Sequence, residues 1–268
     1  MITPKEISKS AAQNRVSDRQ IEKDYILTWT LYGIANHKIL NKALVFKGGT
    51  AIKKCYIEDY RFSEDLDFTL LEDQLTHVDF KKFLEEVFVW VKEEANITLQ
   101  HSKDEIHPSS GSSLFYVDFI GPLAGNLGSR DIKIDITRGE KMEFDSVERK
   151  AFITYSDLPE DSFTLQCYQL SEILIEKMAA LMGRTEPRDL YDFWYLTEIE
   201  RMSVKDHNIE FRSKAEHKNL NSDDFAAKVL RKEKAFERDW KEKLQNQIHD
   251  LPKYDDIFRE AKRHLKIG

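Results

Sequence analysis

The sequence has few of the features that are typical of secreted proteins, of small proteins stabilised by a bound metal, and of membrane proteins. Its 268 residues include only two cysteines, Cys55 and Cys167, which lie far apart and are not spaced with histidines as zinc ligands are. No apolar run approaches the roughly 20 residues that span a bilayer, and residues 1–6 lead into polar sequence rather than a secretory signal. We therefore expect a cytoplasmic protein without membrane contact, whose two thiols are small, reduced core residues.

The sequence also lacks the excess of positive charge that marks many nucleic-acid-binding proteins, since its formal net charge is −7. Hydrophobic residues make up 41% and charged residues 33%, which excludes both a disordered and a membrane-embedded chain. Residues 201–268 hold 17 Lys and Arg against 13 Asp and Glu, whereas residues 1–200 hold 24 against 35. Contact with RNA would need a local basic patch, and the alternative is an ordinary solvated helix face; the candidates are Arg212, Lys214, Lys218, Lys228, Arg231, Lys232 and Lys234.

Hydrophobic periodicity predicts an α+β half followed by a helical half. The Gly/Pro/Asn-rich segment 121–129 is typical of a long hairpin loop between two strands. Beyond about residue 165 the pattern is helical to the end, so we predict domains at 1–160 and 161–268. The elements predicted before that point are helices over 18–35, 50–56 and 78–95 and strands over 43–46, 66–70, 114–120 and 132–137.

Two carboxylates spaced two residues apart are the first candidate site. Asp65 and Asp67 begin a predicted strand, and alternation along a strand points both side chains to one face. Like charges so placed repel unless a cation lies between them, and Mg²⁺ is a usual solution because it takes few carboxylates and completes its shell with water and phosphate oxygens. The alternative is a solvated strand end.

A third carboxylate, Asp135, lies in the strand 131–137, where isoleucines occupy one face and Asp131, Lys133 and Asp135 the other. If this strand neighbours the one that carries Asp65 and Asp67, the three acids converge and can hold two metal ions. An amphipathic strand with a wet face is the other interpretation.

Two further segments carry groups that suit phosphate. Lys47-Gly48-Gly49-Thr50 ends a strand and opens a helix, where glycines permit close backbone approach and the helix start offers unpaired N–H groups; plain turn chemistry is the alternative. Lys177 falls within the apolar stripe of the predicted helix around residues 170–181, so it either extends to solvent or faces a negatively charged site.

Taken together, these segments resemble the AbiEii/AbiGii toxin family of nucleotidyltransferases, within the polymerase-β-like superfamily. Four blocks match in order and span positions 22 to 192, about two thirds of the chain. They are Glu22-Lys23-Asp24-Tyr25, Phe46-Lys47-Gly48-Gly49-Thr50, Arg61-Phe62-Ser63-Glu64-Asp65-Leu66-Asp67-Phe68, and Glu176-Lys177 through Arg188-Asp189-Leu190-Tyr191-Asp192.

The resemblance implies a mixed-sheet nucleotidyltransferase core followed by an all-helical C-terminal domain that completes the nucleotide cleft. It also implies Mg²⁺-dependent transfer, with Mn²⁺ as a substitute, of an NMP from an NTP to an acceptor. Catalysis is assigned by position to Asp65, Asp67, Lys177 and Asp189, and metal binding to Asp65, Asp67 and Asp135. The residues assigned to nucleotide binding are Lys47, Gly48, Gly49, Thr50, Ser63, Arg184 and Arg188.

The partners implied by the resemblance are an NTP, an RNA acceptor such as a tRNA 3′ end, and a cognate antitoxin protein, as in toxin–antitoxin or phage-abortive systems. Transfer to a small molecule or to a protein side chain is an alternative activity. A non-catalytic module that binds nucleotide without turnover is the alternative outside enzymes.

Overall fold

The computed structural model describes residues 1–71, 75–159 and 163–266, and the chain forms two compact units. Unit 1 consists of Met1–Glu140 and Ser146–Cys167, and unit 2 of Lys141–Asp145 and Tyr168–Gly268. The predicted domain boundary between residues 160 and 161 lies outside the described residues.

Unit 1 is built around a mixed sheet, as the α+β prediction requires. Its order is β3-β4-β5-β2-β1-β7-β6, with β2 parallel to β5 and β1 parallel to β7, and the other neighbours antiparallel. The strands of the described residues are β1 (Leu44–Lys47), β2 (Asp65–Leu70), β3 (Thr98–Ile106), β4 (Ser113–Ile120), β5 (Asp131–Thr137), β6 (Val147–Lys150) and β7 (Thr164–Cys167).

The helices of unit 1 begin at side-chain caps that the sequence supplies. Thr3 accepts a hydrogen bond from the backbone of Glu6, whose carboxylate accepts from Thr3 in return, and Thr76 and Asp79 form the same reciprocal cap. Ser17 caps the second helix. The helices are α1 (Pro4–Asn14), α2 (Asp18–Asn36), α3 (Leu40–Ala43), α4 (Gly48–Cys55) and α5 (His77–Ala95).

One face of the central strands is buried and the other carries polar groups. Along β2 and β5 the buried positions include Leu66, Phe68, Ile134 and Ile136, which alternate with half-buried residues. Helix α2 packs against β5 and α5, and α5 packs against β3. Hydrophobic burial against α2 and α5 therefore fixes which face of the sheet presents the carboxylates.

Unit 2 is helical. The structure also contains short 3₁₀ turns and a π-helical turn, Tyr195–Ile199, after the second helix of this unit. Its helices are α6 (Leu170–Gly183), α7 (Pro187–Trp194), α8 (Asn208–His217), α9 (Phe225–Arg231), α10 (Glu233–Leu244) and α11 (Tyr254–Ala261).

The structure corrects one sequence-based interpretation of the fold and confirms another. Residues 164–167, close to the predicted start of the helical half, form strand β7, because pairing with β1 and β6 outweighs their weak local pattern. Cys55 and Cys167 lie far apart in the sequence, yet both are buried; the Cys55 thiol, together with burial, raises the pKa of Cys167. Their predicted place in the core is confirmed.

Among the described residues, no helix is long and apolar enough to cross a bilayer.

Candidate functional site

Three aspartates share the polar face of the sheet, because β2 and β5 are neighbours, as the sequence-based prediction required. Asp67 pairs in register with Asp135 across the parallel β2–β5 ladder, and Asp65 lies two residues before Asp67 on the same face. Neighbouring strands are about 4.8 Å apart, which brings Asp67 and Asp135 side by side. All three residues are half-buried.

The turn between β1 and α4 lies directly against this face. Gly48 has a φ of +78°, a region that L-residues with side chains rarely adopt, and a Cβ placed on it would lie 2.5 Å from Oδ2 of Asp67. On the neighbouring strand Lys47 is the register partner of Asp67. Glycine is required at position 48 for two independent reasons, the backbone conformation and the close approach of a carboxylate.

The second glycine of the turn makes room for an arginine that the sequence interpretation did not include among the site residues. A Cβ on Gly49 would lie 2.5 Å from a guanidinium nitrogen of Arg61. Arg61 is only 5% exposed and also donates a hydrogen bond of 3.1 Å to the carbonyl of Phe62. Its position in the block that leads to Asp65 was the available signal, but the contact with Gly49 is visible only in the fold.

The start of α4 has the properties of an anion site. No side chain caps this end in the described part of the chain, so backbone N–H groups of its first turn remain for a ligand. Thr50 is 1% exposed, and its hydroxyl donates a hydrogen bond of 2.6 Å to the carbonyl of Asp65, which ties the turn to β2. Ser63 is buried two residues before Asp65.

Residues of the first matching sequence block form buried contacts with the elements that carry this site. Asp24 accepts hydrogen bonds from Lys54, at 2.7 Å, and from the hydroxyl of Tyr155, at 2.7 Å, and all three side chains are buried. Burial alone would raise the pKa of Asp24, but the charges of Lys54 and Lys53 and the hydrogen bonds from Lys54 and Tyr155 together outweigh it and lower the pKa. Lys23 lies 3.5 Å from Glu64. The block therefore links α2 to α4 and to the loop that delivers Asp65.

The loop before Asp65 is also held by a second buried lysine. Lys53 donates hydrogen bonds to the carbonyls of Glu58, at 3.1 Å, and Tyr60, at 3.0 Å, while its ammonium lies 4.2 Å from the ring centroid of Phe62. Burial lowers the pKa of Lys53. Helix α4 thus positions both the glycine turn at its start and the acid-bearing loop beside it.

In unit 2 the predicted cluster forms a buried ion-pair network. Lys177 of α6 lies 2.9 Å from Asp189 and 2.8 Å from Asp192, both on α7, and Arg184 donates to Asp189 at 2.7 Å. The side chain of Lys177 is 9% exposed, whereas that of Arg184 is 63% exposed. Burial would raise the pKa of Asp189, but Lys177 and Arg184 outweigh it and the pKa is lowered.

These contacts show where the predicted site residues of unit 2 lie and which groups they bind. Lys177 lies in the apolar face of α6 and turns its charge onto carboxylates, one of the two arrangements that its place in the stripe allowed. Arg188 lies in the first turn of α7, beside Asp189, and is half-buried. The phosphate-binding role assigned to Lys177, Arg184 and Arg188, and the catalytic role of Asp189, stay predictions.

The prediction that Lys214 belongs to a basic patch for RNA is wrong. Lys214 is fully buried and pairs with Glu172 at 2.8 Å, with neither side chain exposed to solvent. It also donates to the carbonyl of Lys141. Lys232, another candidate, donates hydrogen bonds to the carbonyls that end α6, namely those of Leu181, Met182 and Arg184.

The donors on the sheet face suit a hard divalent cation. Carboxylate oxygens are the ligands that Mg²⁺ prefers, and the cradle formed by Gly48 keeps the carboxylate of Asp67 close to the backbone. Across the described ranges, no group of three or more His, Cys, Asp and Glu side chains is arranged to hold a metal ion by itself. The predicted metal role of Asp135 therefore stays a prediction, and water and substrate oxygens would have to complete the coordination.

A cavity of about 330 Å³ opens beside the third acid. Asp135 and Thr137 of β5 form part of its wall, with Leu114 of β4 and Glu105 of β3. Serine hydroxyls from the connection between β3 and β4 complete a polar lining.

Comparison with known proteins yields a matching family and several related solved structures, one of which is named below. The family model described as nucleotidyl transferase AbiEii toxin, type IV TA system, matches residues 29–260. The structure is similar to that of MenT4, a nucleotidyltransferase toxin from Mycobacterium tuberculosis H37Rv, with a TM-score of 0.62 at 15% identity, covering 99% of this chain and 90% of that one. No curated protein matches the sequence.

Proposed function

Because the chain belongs to the AbiEii family of nucleotidyltransferase toxins of type IV toxin–antitoxin systems, we propose that it transfers an NMP, with Mg²⁺, from an NTP to the 3′ end of an RNA such as tRNA. The observation that carries this proposal is the register of Asp67 with Asp135 beside the glycine turn at Gly48. An anion-binding helix start and a carboxylate face are thereby adjacent, as a phosphoryl-transfer centre requires.

The proposed roles follow from the positions of the groups. The backbone N–H groups at the start of α4 bind the triphosphate, and Arg61 against Gly49 adds positive charge at that turn. Asp65 and Asp67 would hold Mg²⁺, with water and phosphate oxygens completing its coordination. Bound there, Mg²⁺ would lower the pKa of the acceptor hydroxyl and offset the charge of the phosphates.

The reaction is an in-line displacement in which the acceptor hydroxyl attacks the α-phosphorus and pyrophosphate leaves. Asp135 lies on the side of Asp67 away from β1, and its proposed role is to ligate metal or to accept the proton of the acceptor hydroxyl. In unit 2, Lys177, Arg184 and Arg188 are proposed to bind phosphate, and Asp189 orients Lys177 and Arg184. The exposed side chain of Arg184 fits contact with a ligand better than that of Lys177.

As a member of this family, the protein has an NTP as substrate and a cognate antitoxin as partner. We propose that the toxic effect follows from modification of the RNA 3′ end. Such an end is single-stranded and presents the hydroxyl that the reaction needs.

The proposal is tested by incubating the purified protein with each α-³²P-labelled NTP, Mg²⁺ and total tRNA, and reading label on RNA, on protein and in small products. We expect label on tRNA from one preferred NTP, and loss of label in Asp67→Asn. Asp131→Asn is the matched control, because Asp131 lies on the same face of β5 as Asp135 but four residues away.

The other outcomes overturn specific parts of the proposal. Label on protein or on a small molecule, but none on RNA, would contradict the RNA acceptor. Tight binding of NTP without release of pyrophosphate would indicate a non-catalytic module. Full activity of Asp67→Asn would remove the assignment of the centre itself.

A further inference from the structure

The polar face of the sheet continues beyond the acids into a group of basic and aromatic side chains. In register with Asp65 on β2 lies Lys133 on β5, then Tyr116 on β4, and then Lys103 on β3. Residues paired in this way point to the same side of a sheet. Lys103, Tyr116 and Lys133, which we call the β4 platform, therefore share the face of the carboxylates.

The two ammonium groups of the platform flank a single aromatic ring. The Nζ of Lys103 lies 5.2 Å, and that of Lys133 5.5 Å, from the centroid of the Tyr116 ring. Both distances are within the range of cation–π attraction. The side chain of Lys103 is 64% exposed, and Tyr116 and Lys133 are half-buried.

The carboxylate of Glu105 accompanies this group. Glu105 on β3 lies 2.5 Å from Lys103, and hydrogen bonds with Lys103 and then with Tyr116 lower its pKa. An exposed Lys–Glu pair contributes little to stability, so Lys103 can exchange this partner for a polyanion at small cost. Lys133 also lies close enough to Glu105 for its charge to lower the pKa of that carboxylate.

The position of the platform decides which substrate it suits. The sheet order places β4 and β5 on one side of β2, and β1 with its glycine turn on the other. The triphosphate is proposed to lie on the β1 side, so the β5 side is left for the acceptor. Tyr116 is two strands from Asp65, about 10 Å at ordinary strand spacing, which matches a nucleotide near the reacting hydroxyl.

We propose that the β4 platform binds the single-stranded end of the acceptor RNA, with a base stacked on Tyr116 and the flanking phosphates bound by Lys103 and Lys133. Aromatic rings between basic side chains are the usual means of binding single strands without reading their sequence. This inference rests on the proposed function, since it assigns the acceptor of the same centre.

The test uses the full chain and two binding measurements. Fluorescence anisotropy with a short labelled single-stranded RNA reports acceptor binding, and calorimetry with Mg²⁺ and a non-hydrolysable NTP analogue reports nucleotide binding. Tyr116→Leu is expected to weaken RNA binding about tenfold and Tyr116→Phe to retain it, because stacking needs the ring alone. Nucleotide affinity should not change in either variant.

The lysines supply a second variant that does not depend on replacing a half-buried ring. The double substitution Lys103→Gln and Lys133→Gln should reduce the salt dependence of RNA binding by about 1.4 in log–log slope, roughly 0.7 for each phosphate that a lysine no longer neutralises. Lys82→Gln is the matched control, because Lys82 is an exposed lysine, 70% accessible, on the surface of α5. It should leave the slope unchanged.

Each contrary result has a distinct meaning. If the platform variants bind RNA as the wild type does while tRNA labelling continues, the platform assignment is wrong and the proposed function stands. If Tyr116→Leu weakens nucleotide binding instead, the ring holds the base of the NTP and the acceptor assignment is wrong. If the wild type binds no RNA and labels another acceptor, both proposals are contradicted.

Discussion

At the scale of single residues, the two glycines of the turn make room for charged side chains of the candidate site. Gly48 accepts a positive φ and leaves space for the carboxylate of Asp67, whereas Gly49 leaves space for Arg61. The adjacent Thr50 gives its hydroxyl to the carbonyl of Asp65 rather than holding it toward solvent. Contact of this turn with phosphate is therefore expected from backbone N–H groups and Arg61, more than from the predicted threonine side chain.

The first prediction at this scale is that Gly48→Ala disables transfer more than it destabilises the fold. A methyl group at this position must displace the Asp67 carboxylate, and displacement of a catalytic group by about 1 Å can reduce a rate about a hundredfold. The measurement is pyrophosphate release at saturating NTP, combined with the melting temperature.

Gly139→Ala separates backbone strain from displacement of the carboxylate. Gly139 also has a positive φ, +63°, but nothing lies within 4 Å of an added Cβ. We expect both variants to lose about 1 kcal/mol of stability from the strained backbone, and only Gly48→Ala to lose activity. Equal activity of the two variants would show that the approach of Asp67 to the turn is unimportant.

At the scale of elements, helices α6 and α7 are joined by a buried network whose charges were predicted for ligand binding. Lys177 bridges Asp189 and Asp192, so its removal leaves buried carboxylates short of a partner. Breaking a buried pair in this way costs about 3–5 kcal/mol. Loss of activity in a Lys177 variant alone would thus not distinguish catalysis from folding.

We therefore predict a pH-dependent loss of stability in Lys177→Met. The lowered pKa of Asp189 means that its ion pairs stabilise the fold above the ordinary aspartate value of 3.8, and that this contribution is lost as the pH falls through the lower folded value. The stability difference between wild type and Lys177→Met should be largest near pH 7 and shrink below about pH 3.8. Urea unfolding of the two proteins at pH 7 and at pH 3 measures this difference.

Arg184→Gln provides the control for this network. The Arg184 side chain is 63% exposed, so its substitution should cost less stability than that of Lys177. A stability difference for Lys177→Met that stays constant from pH 7 to pH 3 would contradict the assigned network.

Element by element, the sequence predicted what has strong periodicity and missed what depends on partners. The turn at Gly48, the strand of Asp65 and Asp67, and the strand of Asp135 were predicted from local pattern and are confirmed. Strands β3 and β6 were missed because most of their residues are exposed and polar, so they lack alternation. Helix α1 was missed although Thr3 and Glu6 form its cap.

The same limit applies to the site. The two aspartates of β2 were found from their spacing, but the buried roles of Asp24 and Lys54 were not, since these partners are 30 residues apart in the chain. Arg61 was missed as a site residue for the same reason, because its neighbour Gly49 lies twelve residues earlier. Long-range pairing is information that a local pattern does not carry.

At the scale of the whole molecule, the predicted site residues are distributed over two units. The carboxylate face and the glycine turn both belong to unit 1, and the buried lysine network belongs to unit 2. The chain is acidic overall, with a net charge of −7, so contact with RNA has to come from local groups such as the β4 platform. Family membership over residues 29–260 includes parts of both units.

The most direct test of the central claim compares two aspartates on one face of the same strand. Pyrophosphate release with Mg²⁺, the preferred NTP and tRNA should fall at least a hundredfold in Asp135→Asn and stay near the wild-type rate in Asp131→Asn. Both variants should melt near the wild-type temperature, since both residues are half-buried on the polar face. Equal rates in the two variants would contradict a transfer centre formed by the register of β2 with β5.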